Sequence, residues 1–226
     1  MKVAVIVFPG SSGAEDAAYA YREILGCEVI NIWHQEETLK GADVVIIPGG
    51  ASFGDYLRPG ALVLGSPIIG AIRKFGRDGG PMLGIGNGFQ ILCELKILPG
   101  VLLQNKSLNF IHRDVYLSID SNKSPFLSGM EPERVLSLPL ACSFGRYYAD
   151  KRTLKDIEEN GNVAMRFCDR EGDIDFDDPF NGSIHAIAGV TSRHHNVLGL
   201  IAHPERAAED AMGSVVGLEI LKNILK

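Results

Sequence analysis

What the chain has little of narrows its chemistry first. Tryptophan occurs once in 226 residues, and the 22 lysines and arginines are outnumbered by 28 acidic residues. The net charge of −6 leaves no basic field to hold a phosphate backbone, so a nucleic-acid partner is not expected. Long apolar runs are missing as well. The opening MKVAVIVFPG has a short apolar run before Pro9, too short for a signal-peptide core or a membrane span, and it reads as a first strand. Cysteine is sparse: Cys27, Cys93, Cys142 and Cys168 have no CxxC spacing and sit mostly in apolar stretches, the pattern of reduced thiols in a cytoplasmic protein. His34, His112 and His185 are isolated. His194 and His195, adjacent in a hairpin-like SRHHNV, would point to opposite faces of a strand, so no metal site is expected. DIDFDD spaces Asp173, Asp175 and Asp177 like a calcium loop. Its sixth and twelfth positions, however, hold Asp178 and Ile184 where Gly and Glu are needed, and it reads as a solvated acidic loop.

What is present is a good core composition. With 46% hydrophobic and 22% charged residues the chain can bury one sizeable core, and residues 1–226 are read as one domain. Near-continuous apolar runs, VAVIVF (3–8), CEVINIW (27–33) and ADVVIIPGG (42–50), suit parallel strands covered on both faces. Between the first two, AEDAAYAYREILG (14–26) has helical spacing and ends at Gly26. From residue 113 onward RDVYLSID, RVLSLPL, NVAMRFC and IHAIAGVTS through NVLGLIAH predict shorter strands in a mixed or antiparallel extension of the same sheet. AAEDAMGSVVGLEILKNIL predicts a terminal helix. The fold class is therefore α/β.

MLGIGNGFQIL (82–92) carries the first chemical signal. Gly84-Ile85-Gly86-Asn87-Gly88 has the form of a nucleophile elbow, a tight strand-to-helix turn flanked by glycines, with no side chain at its middle position, Gly86. A cysteine there would face a helix N-terminus that stabilises a thiolate. Two other readings of the pentapeptide stay open. One is a dinucleotide loop, although its third glycine position holds Phe89; the other is a purely structural turn. Two further segments bear on the choice. In His203-Pro204-Glu205 a carboxylate is spaced to orient an imidazole, and IIPGGASFGDYLRPGA (46–61) offers the glycine pair Gly49 and Gly50, whose N–H groups could approach a carbonyl oxygen.

Taken with VAVIVFPGS, PGGASFGDYLRPGA, GNGFQIL, LPGVLLQNKSL, FGRYYAD and NVLGLIAHPERA, these segments give a resemblance over almost the whole chain. The sequence resembles the class I glutamine amidotransferases, and within them the family of glutaminase (PurQ-type) subunits of phosphoribosylformylglycinamidine synthase. That resemblance implies a three-layer, flavodoxin-like domain with a mostly parallel sheet and an antiparallel extension. It implies ammonia release from glutamine through a cysteine thioester, for delivery to a large PurL-type synthetase subunit with a small PurS-type subunit. No cofactor is implied. Carried over by position, Gly86 stands at the nucleophile, His203 is the base and Glu205 its orienting acid. Gly50 and Asn87 give oxyanion N–H groups beside Gly49, Gln90 lies by the pocket, and Asp55, Tyr56 and Arg58 lie at the partner-facing mouth.

The departures from the family pattern are as informative. Gly86 replaces the cysteine, Gly13 and Ala14 replace a Cys-Asp pair, Cys142 and Ser143 replace His-Gly, and Ala202 replaces a proline. Changes spread over several motifs favour divergence over the substitution of one cysteine. Cys93 lies about 10 Å along the elbow helix, too far to take over the attack. Cys142, in a segment the resemblance places near the pocket rim, is the other rescue candidate. An ammonia-delivering subunit, a pseudo-amidotransferase that binds without hydrolysis, and a dinucleotide-binding protein are the functional alternatives.

Overall fold

The computed structural model describes residues 1–177 and 179–226. In chain order the elements are β1 (Lys2–Val7), α1 (Ala14–Tyr19, prolonged by a π-turn over Ala20–Ile24), β2 (Glu28–Trp33), β3 (Val44–Ile47), α2 (Ile69–Arg77), β4 (Met82–Ile85) and α3 (Asn87–Glu94). There follow β5 (Val101–Leu103), β6 (Ile111–Ile119), β7 (Val135–Cys142), β8 (Arg146–Tyr148), α4 (Lys151–Glu159), β9 (Val163–Cys168), β10 (Ile187–Thr191), β11 (Val197–Leu200) and α5 (Val216–Asn223). The main sheet runs β2-β1-β3-β4-β11-β10-β9-β6-β7, and β5 pairs with β8 in a separate antiparallel ladder.

The pattern of burial explains this order. β3 and β4 are buried at every position, as are the middle of β1 and all of β11, so each can be covered on both faces within the parallel half of the sheet. β7 alternates, with Leu136, Leu138, Leu140 and Cys142 buried in turn, the period-two signature of a strand with one face on the core. The expected parallel sheet with an antiparallel extension is found, and β11 is its seam, parallel to β4 and antiparallel to β10.

Two expectations need correction. β2 is an edge strand in which Glu28, Asn31 and Trp33 are exposed; its apolar content does not reveal that it has a neighbour on one side only. The terminal helix is confined to Val216–Asn223, because Gly213 at φ 83° turns the chain out of helix after a short 3-10 turn at Asp210–Met212. By contrast, the first helical segment stops as expected near Gly26, at φ 67°. The SRHHNV turn closes a hairpin in which Ser192 N–H donates to Val197 O at 2.9 Å. Among the described residues no helix is long and apolar enough to cross a membrane.

The chain leaves β1 towards β2 on one side and returns to β3 on the other. This change of direction opens a crevice beyond the carboxyl ends of the strands, where α/β sheets bind ligands. The loops after β1 and β3 are laced together there: Gly13 N–H donates to Gly49 O at 3.1 Å, Ala51 N–H to Gly10 O at 2.9 Å and Phe53 N–H to Pro9 O at 2.6 Å. α3 enters the same place. A Cβ on Gly88 would overlap the carbonyl group of Ile47, so the start of α3 lies directly against the end of β3. Gly88→Ala must push helix from strand. It is expected to destabilise the fold by about 3 kcal/mol, the upper part of the range for overpacking. Urea denaturation checks this, and an unchanged midpoint would contradict the contact.

Candidate active site

The turn between β4 and α3 adopts the conformation that the glycine spacing suggests. Gly86 sits at φ 53° and ψ −110°, a region costly to an ordinary L-residue, and caps an α3 whose first seven residues are all buried. Its N–H donates to Leu200 O at 2.8 Å, which ties the turn to the end of β11. Among the described residues the N–H groups of Asn87 and Gly50 have no backbone acceptor. At φ 132°, Gly50 runs so close beneath the Gly10–Ser12 loop that a Cβ would overlap Gly10 O and come within 2.5 Å of Ser12 N.

Opposite the turn stands His203. Its N–H donates to Pro139 O at 2.8 Å, so β7 holds the backbone, while Nδ1 lies 2.7 Å from Oε1 of Glu205. The imidazole is 3% exposed and the carboxylate 0%. This bond fixes the ring. With the Nδ1 proton directed at the carboxylate, Nε2 is left as an acceptor. It finds no hydrogen-bond partner among the described residues. The ring lies over two glycine Cα atoms. A Cβ on Gly49 would come to 2.7 Å from Cε1, and one on Gly86 to 3.1 Å from Cε1 and 3.2 Å from Nε2. A side chain at position 86 would therefore project at the nitrogen of an oriented base.

These residues line a cleft of about 490 Å³ that also takes in Ser12, Asp55, Asn87, Gln90, Phe110, Cys142, Phe144 and Arg206. Asn87 and Gln90 act as braces. The Asn87 side chain accepts from Ser52 N–H at 3.1 Å and donates to Gln90 Oε1 at 2.7 Å and Asp55 Oδ1 at 3.2 Å; Gln90 Nε2 donates to Phe144 O at 2.6 Å. Of the three residues expected at the mouth, Tyr56 and Arg58 are exposed, Tyr56 at 73%. Asp55 is half-buried in the cleft wall, where desolvation raises its carboxyl pKa to about 6. Arg58 forms a two-pronged bond to Glu94, with both contacts at 2.6 Å.

Cys142 does reach the cleft, as the rescue idea required, but not as a thiolate. Burial pushes its pKa up to about 12, and its thiol faces Asn105 Oδ1 at 3.9 Å, a weak bond that only partly opposes this. Cys93 is enclosed in α3, with its thiol pointed at Pro99 O and its pKa raised further by burial. Sequence reasoning missed Asn105. Fully buried, it donates to the carbonyls of Cys142 and Asn109 at 2.9 and 3.0 Å and accepts from Gly145 N–H at 3.1 Å, holding the wall that carries Cys142 to Phe144. It also missed Arg206, although that residue directly follows His203-Pro204-Glu205. In the acidic loop, Asp169 caps the N–H groups of Glu171 and Asp173; Asp178 lies outside the described residues. Among the described residues no group of three His, Cys, Asp or Glu could hold a metal ion.

The chain falls in the glutamine amidotransferase class: a family profile for the CobB/CobQ-like glutamine amidotransferase domain matches residues 1–219. The chain is 46% identical over 218 residues to the phosphoribosylformylglycinamidine synthase subunit PurQ of Rhodopseudomonas palustris, covering 96% of this chain and 94% of that one. It is 45% identical over 225 residues to the subunit of the same name from Rubrobacter xylanophilus, covering 100% and 98%. Among solved structures, a chain of PurLQS from Thermotoga maritima superposes with a TM-score of 0.87 at 38% identity, covering 99% of this chain and 97% of that one. The chain belongs to the PurQ family of phosphoribosylformylglycinamidine synthase subunits. The fold alone is shared with a GMP synthase-like protein of Thermoplasma acidophilum, at a TM-score of 0.65 and 15% identity, covering 100% of this chain and 92% of that one.

Two outcomes follow for thiols. Cys142 should resist iodoacetamide at pH 8 in the folded protein and react once the chain is unfolded; rapid native labelling would contradict its burial. Gly86→Cys should cost about 1–3 kcal/mol from the left-handed backbone. The introduced thiol, at a helix N-terminus and beside Nε2, should titrate well below the ordinary cysteine range, as read from the pH dependence of its alkylation. A thiol there that titrates like free cysteine would mean that His203 does not face it.

Proposed function

We propose that this chain is the PurQ-type subunit of a phosphoribosylformylglycinamidine synthase and that, as it stands, it performs no thiol-dependent hydrolysis of glutamine. The observation that carries this reading is a glycine at φ 53° and ψ −110° opposite an unpartnered, buried imidazole nitrogen. In this reading Gly86 occupies the nucleophile position, His203 is the base, Glu205 orients it, and the N–H groups of Gly50 and Asn87 are the oxyanion donors beside Gly49. Removing the nucleophile from a set of groups that act together lowers turnover by about 10⁴- to 10⁶-fold, leaving what binding and the oxyanion donors supply. The partners are a large PurL-type and a small PurS-type subunit, by analogy with the relative in the Thermotoga maritima complex.

The rim of the cleft supports association. Tyr56 and Leu57 are 73% and 89% exposed, and Leu108 and Phe110 are 69% and 62% exposed, while Asp55 and Phe110 both line the cleft. Exposed aromatic and aliphatic side chains grouped at a site mark an interaction surface. We assign this rim to the large subunit, with the exposed Arg58 beside it.

Reconstitution with the cognate PurL- and PurS-type subunits tests the reading. A complex should form on size-exclusion chromatography, make product from added ammonium salt and make none from glutamine. Tyr56→Ala combined with Phe110→Ala should weaken the complex at least tenfold. Glutamine-dependent product from the unaltered chain, or no association at all, would overturn the proposal.

A further inference from the structure

Asp55 is the only carboxylate among the residues that line the cleft, and Arg206 the only guanidinium. The chain holds Asp55 there by unusual means. Phe53, Asp55 and Leu57 all have positive φ, at 54°, 55° and 67°, each an uncommon conformation for a residue with a side chain. The loop is pinned around them: Phe53 N–H is bonded to Pro9 O, Ser52 N–H to the Asn87 side chain, and the Phe53 ring meets His34 edge-on at 5.3 Å. Strain held in place by such bracing is characteristic of sites where a side chain must be aimed. Asp55 lines the cleft, and Asn87, the residue next to the elbow, donates to its carboxylate at 3.2 Å. In an extended glutamine the α-nitrogen lies roughly 5 Å from the amide carbon, four bonds along the chain. Through the Asn87 side chain the carboxylate is linked to the residue that follows Gly86.

We propose that Asp55 is the residue that recognises the α-ammonium group of an amino-acid amide in this cleft, with Arg206 as the counter-charge for the α-carboxylate. This assignment rests on the glutamine-cleft reading given above and adds to it a recognition residue. Ionised Asp55 supplies the charge-assisted acceptor that an ammonium needs. Arg206 directs Nε to Asp16 at 3.1 Å and lies 4.0 Å from Glu205, which keeps its guanidinium beside the dyad. Asp55 titrates at about 6, so recognition is sensitive to pH near neutrality. The other ionisable groups lining the cleft around it are His203, Arg206 and Cys142; Arg58, three residues on, is bound to Glu94.

Because the unaltered chain lacks a thiol at the elbow, binding can be measured at equilibrium. Calorimetric titration with L-glutamine and with glutaramate, the same chain without the α-amino group, separates the outcomes. Glutamine should bind about tenfold more weakly at pH 5 than at pH 7.5, following the ionised fraction of a carboxyl with a pKa near 6. Asp55→Asn, which can still accept from Asn87, should weaken glutamine at least tenfold at pH 7.5, flatten that pH dependence and leave glutaramate binding unchanged. His203→Asn, by contrast, should leave the pH dependence in place. An Asp55→Asn protein that holds glutamine as tightly as its parent overturns the assignment. So does one that loses both compounds equally, since that is damage to the cleft. If the unaltered chain binds neither compound, the glutamine reading of the cleft fails and this assignment falls with it.

Discussion

The site depends on backbone segments approaching more closely than side chains allow. α3 rests on the end of β3 at Gly88, and the His203 ring lies over the Cα atoms of Gly49 and Gly86. Because a missing Cβ is the condition of each contact, the elbow, the glycine pair and the dyad form one packing unit. Moving any of them moves the others. The laced loops after β1 and β3 extend that unit to the rim, and through Asn87 to Asp55.

Within it, the His203–Glu205 pair is held at some energetic cost. Nε2 of His203 and Oε2 of Glu205 are buried without a partner among the described residues, and an unsatisfied buried polar atom costs about 1–3 kcal/mol. A core that served only to pack would be better filled by apolar side chains. The pair is what an oriented base requires, and Gly86 leaves it facing a position with no side chain. In the function proposed above, catalysis by a thiol is one atom group short, while the geometry that would serve the thiol stands. Cys142 does not fill the gap: it shares the cleft, but burial keeps its sulfur protonated at neutral pH.

How much of this was legible in the sequence depended on how local the signal was. The elbow could be read because glycines at three alternating positions between strand and helix mark a tight, closely packed turn, and the dyad because its partners are two residues apart. The buried runs of β1 and β3 were legible from their composition. β2 was misjudged because apolar content does not tell how many neighbours a strand has. The last helix was overextended because a single glycine, Gly213, breaks the chain before the helix starts, in a segment of otherwise helical spacing. Least visible were the braces. Asn87 to Asp55, Gln90 to Phe144 and Asn105 to Cys142 join residues 32, 54 and 37 positions apart, and no periodicity records such bonds.

The central claim is that the cleft lacks only its nucleophile. Mass spectrometry after exposure to a glutamine-analogue alkylator addresses it directly. The expected result is stoichiometric label at position 86 in Gly86→Cys, blocked by glutamine, and none on any cysteine of the unaltered chain. Label on Cys142 of the unaltered chain, or an unlabelled position 86 in a folded Gly86→Cys protein, would contradict it.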